Sequence, residues 1–68
     1  MNFRIELERE DDGRWIAEIG ELPGAMAYGA TRDQAISAVE ALALRVLADR
    51  LEHAEVVSLP VDITFQPA

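Results

Sequence analysis

The chain contains no cysteine and only one histidine, His53, among its 68 residues. The first absence excludes disulfides. The two together exclude the usual zinc sites, which need clusters of Cys and His. Basic residues are also few. Six Lys and Arg stand against 13 Asp and Glu, a net charge of −7. So acidic a chain repels phosphate backbones, whose binding depends on cationic side chains. Direct binding to nucleic acid is not expected, and a basic protein partner fits better because complementary charge steers encounter. The same charge also keeps a small protein soluble. No long apolar run is present. Ala41 to Ala48 is interrupted by Arg45 and is too short to span a bilayer. The N-terminus, Met1-Asn2-Phe3-Arg4-Ile5-Glu6, is charged early and lacks the apolar core of a secretory signal. A soluble cytoplasmic protein is the expectation.

The length fits one domain, residues 1–68. A domain this small buries a reduced share of its surface. Such scaffolds gain support from disulfides, a metal or association. Composition removes the first two, so oligomerisation or docking to a partner remains.

What is present alternates. Phe3, Ile5 and Leu7 interleave with Arg4, Glu6 and Glu8, the period of a strand with one buried face. Glu10-Asp11-Asp12-Gly13 reads as a hairpin turn, with Gly13 at positive φ. A second strand is expected over about Arg14–Ile19, with Trp15, Ala17 and Ile19 on one face and Arg14, Ile16 and Glu18 on the other. Trp15 is the largest apolar group and should cover the core near the hairpin. Leu22-Pro23-Gly24 should make a defined corner, since Pro23 restricts both itself and Leu22. A third short strand covers about Ala25–Tyr28, with Met26 and Tyr28 pointing one way and Ala25 and Ala27 the other.

Thr31-Arg32-Asp33-Gln34 fits a capping box opening a helix. Arg32 to about Glu52 is free of Gly and Pro and rich in helix formers. Ala35, Val39, Leu42, Ala43 and Val46 form its core stripe, flanked by Ile36 and Leu47. Ala41, Leu44, Ala48 and Leu51 make a second apolar strip on the far side, a candidate oligomer interface. His53 reads as an exposed residue at the helix end. Ala54 to Leu59 is a linker with some strand character. Val61, Ile63 and Phe65 then alternate in a last strand. The expected class is α+β, β-β-β-α-β, with an antiparallel sheet and one long helix packed on one face.

Catalytic chemistry finds little support. Glu6 and Glu8 share a strand face, Glu18 is a candidate to lie opposite them, and such a cluster could in principle offer oxygen ligands to Mg²⁺. The simpler reading is the solvated face of a half-buried sheet. Thr31, Ser37, Ser58, Thr64 and Tyr28 lie in no nucleophile motif. The four glycines match no phosphate-binding fingerprint. No catalytic residue, cofactor or metal is expected.

Asp12-Gly13-Arg14-Trp15-Ile16-Ala17-Glu18-Ile19, then Glu21-Leu22-Pro23-Gly24, then Tyr28-Gly29-Ala30-Thr31-Arg32-Asp33-Gln34-Ala35-Ile36 resemble a known pattern. It is that of the N-terminal domain of HicB-like antitoxins of bacterial type II toxin–antitoxin systems. The resemblance covers nearly the whole chain. Two positions depart from it: Gly20 stands where proline is common, and Gln34 where glutamate is usual. The resemblance implies a reduced RNase H-like β-β-β-α-β fold. It also implies a non-catalytic antitoxin that binds and occludes a small basic HicA-like ribonuclease toxin. Longer members carry a C-terminal operator-binding domain, for which a chain ending at Ala68 leaves no room. A homodimer or dimer of dimers is expected. Asp11, Asp12, Glu18 and Glu21, gathered around the signature stretch, are the candidate partner contacts. The alternative is a stand-alone oligomeric interaction module without a toxin.

Overall fold

The computed structural model describes residues 1–55 and 59–68. Its elements run β1 (Asn2–Arg9), β2 (Trp15–Glu18), β3 (Met26–Gly29), α1 (Arg32–Glu52) and β4 (Thr64–Pro67). The expected linker at Ala54–Leu59 falls partly on residues 56–58, outside the described residues. The class is α+β, with the element order read from periodicity and one helix packed on a four-stranded sheet of order β3-β2-β1-β4.

The sheet is mixed rather than antiparallel throughout. β1 pairs antiparallel with β2, and β2 with β3, but β4 runs parallel to β1, with Asn2 opposite Thr64 and Phe3 opposite Phe65. The reason is directional parity. Two hairpins bring β3 back to the direction of β1, and the helix runs back so that β4 starts again from the same end, an even number of reversals, so β1, β3 and β4 all point the same way. A helical crossover is the ordinary route between parallel strands.

Each turn is closed by local chemistry. Gly13 and Gly24 take φ of 90° and 87°, a region that glycine enters without steric cost. In the first hairpin Gly13 N–H donates to the Glu10 carbonyl at 2.9 Å, and Glu10 N–H to the Arg14 carbonyl at 2.7 Å. At the Leu-Pro-Gly corner, Leu22 N–H donates to the Ile19 carbonyl and Ala25 N–H to the Leu22 carbonyl. Leu22 is thereby turned inward, fully buried beside Ile5, Ile19 and Val39. A buried side chain of this type contributes roughly 1.5–3 kcal/mol.

The helix begins as its sequence indicates, with one difference. Thr31 Oγ1 accepts from Gln34 N–H at 3.1 Å. Gln34 Oε1 reaches back past the cap and accepts from Ala30 N–H at 3.1 Å. At the other end Ala54 N–H donates to the Leu51 carbonyl and Glu55 N–H to the Arg50 carbonyl, a Schellman closure. Ala54 occupies the left-handed position there, at φ 54°. The buried stripe is Ala35, Val39, Ala43 and Leu47, every fourth residue. Leu47, expected on the flank, is central, whereas Leu42 and Val46 are half-buried. Small residues at positions 35 and 43 let the helix sit close to the sheet. At Gly29 the approach is closest: a Cβ there would stand 2.4 Å from the Ala35 nitrogen.

Candidate functional site

The strand period divides the sheet into two faces. Phe3, Ile5, Ala17 and Ile19 are buried under α1, and Trp15, Leu7, Ala27, Ile63 and Phe65 pack around them. Among the described residues, nothing covers the opposite face. There Glu6 lies directly opposite Glu18, and Glu8 opposite Ile16. On the next strand Tyr28 is opposite Ile16, and Met26 opposite Glu18. The three carboxylates line a shallow depression of about 200 Å³ with Leu7 and Ile16. Like charges placed directly across a strand pair destabilise it. Among the described residues, no group of three or more His, Cys, Asp or Glu could hold a metal ion.

The four acidic candidates separate into two groups. Asp11 and Asp12 are exposed at the β1–β2 turn, and Glu18 and Glu21 are exposed at the other end of β2 and on the corner beyond it. The strand Trp15–Glu18 alone puts roughly 10 Å between the turn and Glu18. The four therefore do not form one rim around the signature stretch. A strand separates its two ends, although they are close in sequence.

Asp12 is structural as well as acidic. Its Oδ1 accepts from Arg14 N–H at 3.0 Å and its Oδ2 from Arg14 Nε at 2.7 Å. Chiefly the backbone donor, with the guanidinium added, holds its carboxyl below the usual carboxylate range. Arg14 in turn lies over the Tyr28 ring, 4.7 Å from its centroid, a cation–π contact. The alternation of residues 14–19 and 25–28 groups Arg14 with Ile16 and Glu18 and Tyr28 with Met26, but the stacking depends on strand register, which that alternation alone does not fix. Glu21, by contrast, lines a cleft of about 310 Å³ together with Phe3, Leu22, Leu47, Arg50 and Leu51.

Ala41, Leu44, Ala48 and Leu51 all lie exposed on the helix. Leu44 is 48% exposed and Leu51 39%, with Leu51 leaning into the cleft. His53 Nδ1 stands 2.7 Å from the Asp49 carbonyl oxygen and 3.5 Å from Asp49 Oδ1 at the exposed helix end. Among the described residues, no helix is long and apolar enough to cross a membrane.

Comparison of the chain with protein-family models, with curated proteins and with solved structures returned no match.

Proposed function

We propose that this domain is a non-catalytic, cytoplasmic antitoxin that binds and occludes a small basic ribonuclease of the HicA-like kind. The single observation behind this reading is the uncovered sheet face. Glu6 faces Glu18 across the β1–β2 pair with Glu8 alongside, so the free domain bears a repulsion that a cationic partner surface would relieve. The net charge of −7 acts in the same direction over longer range. The β-β-β-α-β order fits the resemblance carried by the Asp12–Gly24 stretch. Of the four acidic candidates, Glu18 belongs to this face, and Asp11, Asp12 and Glu21 act at its two ends.

The test is co-expression with the adjacent reading frame. A short basic protein whose toxicity is suppressed by the wild-type chain, and less so by Glu6→Lys/Glu18→Lys, supports the reading. A non-toxic neighbour, or unchanged toxicity, defeats it. The complex should also weaken steeply as salt rises.

A second reading has its own observation. Leu44 and Leu51, with Ala41 and Ala48, leave an apolar strip in water, which suits a stand-alone module that associates through its helices. Replacing Leu44 and Leu51 by lysine would then abolish association.

A further inference from the structure

β1 is flanked unevenly. Its eight residues begin at Asn2, but its ladder with β2 covers only Glu6 to Arg9. Thr64 N–H donates to the Met1 carbonyl and Ala68 N–H to the Ile5 carbonyl, both at 2.8 Å. Odd-numbered residues of β1 therefore turn their backbone groups toward β4, and even-numbered ones toward β2. The first hairpin agrees, since Glu10 N–H donates to the Arg14 carbonyl. After Glu18 the chain leaves the line of β2 for the Leu-Pro-Gly corner. Asn2 and Arg4 are left with backbone groups aimed where a strand would continue. Among the described residues, nothing bonds to them there.

This gap opens into the cleft of about 310 Å³, at the lower end of the range for ligand sites. Asn2 and Phe3 form its β1 wall, Leu22 the corner wall, and Leu47, Arg50 and Leu51 the helix wall. Phe3 and Arg4 point to opposite faces of the sheet, Phe3 into the core side and Arg4 into water. Among the described residues, neither Arg4 nor Arg50 forms an ion pair. Unbonded main chain beside an apolar hollow is the arrangement that extended peptides use. Backbone bonds supply affinity there, and the hollow selects the side chain.

We propose that this end of β1 binds an extended peptide segment of a partner protein, laid antiparallel to β1 along the line that β2 leaves, with an acidic residue opposite Arg4 and an apolar residue next to it in the cleft. The register follows from the existing ladder. Glu6 faces Glu18 and Glu8 faces Ile16 with their backbone groups turned toward each other. Two residues further down, the position opposite Arg4 is again a hydrogen-bonded pair. Its side chain lies on the open face beside the Arg4 guanidinium, and opposite charges across a strand pair attract. The next peptide residue, opposite Phe3, turns its side chain to the helix side, among Leu22, Leu47 and Leu51. Glu21 on the corner wall selects against a second acidic residue there. The occupant is thus acidic and apolar, unlike the basic surface that suits the Glu6–Glu18 row. The site therefore does not depend on the toxin reading.

The test titrates the whole chain with the acetylated, amidated peptide Glu-Leu-Thr-Val and follows amide NMR signals. Saturable shifts at Asn2, Arg4 and Leu51 are expected. Methylating the peptide nitrogen of glutamate, which faces β1, should weaken binding about tenfold. Methylating that of leucine, which faces away, should leave binding intact. Serine in place of leucine should abolish saturation. Lysine in place of glutamate should cost about fivefold. Arg50 also complements the negative end of the helix dipole, so the charge test is made at exposed Arg4. Arg4→Glu, with its fold checked by circular dichroism, should reverse the preference and favour the lysine peptide. No saturable shift at millimolar peptide overturns the proposal. So does equal binding of the two methylated peptides, or a preference for glutamate that survives Arg4→Glu. Toxin neutralisation is read separately by co-expression, so the failure of one reading is distinguishable from the failure of the other.

Discussion

The covered and open faces of the sheet come from alternate residues of the same strands, yet they respond to opposite physics. On the covered face Ile5, Ala17 and Ile19 are sealed under the helix, and no buried polar side chain is present among the described residues. On the open face Glu6 and Glu18 stand opposite each other in water. One face is specified by volume, the other by charge. The lesson is that the signature stretch serves both: Ala17 and Ile19 build the core while Glu18, between them, faces out.

This contrast can be broken from either side. The largest effect should come from Ile5→Ala, which opens a cavity in the fully buried centre. A loss of about 3 kcal/mol is expected, a large share of the stability of so small a domain. Urea denaturation would read it, and a loss under about 1 kcal/mol would show a core that collapses around the gap. Next is Gly29→Ala. Its Cβ would meet backbone atoms of Ala35 and Gln34 at 2.4–2.9 Å. Backbone cannot swing aside as a side chain can, so a loss of about 1–3 kcal/mol is expected by thermal unfolding. On the open face the sign reverses. Glu18→Gln removes one of two facing charges and should stabilise by about 0.5 kcal/mol at low salt. The gain should shrink as salt is added, because these groups are exposed. A destabilised Glu18→Gln would show that the carboxylate has an intramolecular partner.

Asp12 gives the smallest effect and one with a definite pH direction. Its carboxyl is held below the ordinary value in the folded chain. Its contribution is therefore complete above the unfolded carboxylate range and disappears as pH falls through the lowered folded value. A carboxyl NMR titration should place Asp12 below the ordinary carboxylate value, and Asp12→Asn should remove that acid-side dependence of the turn. An ordinary carboxylate midpoint for Asp12 would count against the Arg14 interaction.

Much of the architecture was legible because it rests on local rules. Period two marked β1 through Phe3, Ile5 and Leu7. Thr31 and Gln34 marked the helix start, and the absence of Gly and Pro marked its length. Glu18 opposite Glu6 was foreseeable once Gly13 had fixed the hairpin. Non-local features were harder to read. The parallel sense of β4 follows only from counting reversals across the entire chain. The separation of Asp12 from Glu18 follows from strand geometry rather than sequence distance. The Arg14–Tyr28 stack needs the β2–β3 register, which the Leu-Pro-Gly corner controls. The close approach of the helix at Gly29, where a Cβ would stand 2.4 Å from the Ala35 nitrogen, leaves no sequence signal beyond the glycine itself.

The pairing of β1 with β4 joins residues 2–5 to residues 64–67. On a ribosome, β1 has β2 as its only neighbour until nearly the whole chain has emerged. Closing so long a loop costs more entropy than either hairpin, and contacts this distant in sequence slow folding. β4 is thus expected to be the last strand added and the first released. Amide exchange at Thr64 and Gln66 should outpace exchange at Ala17, leaving one side of β1 intermittently open in an otherwise native molecule.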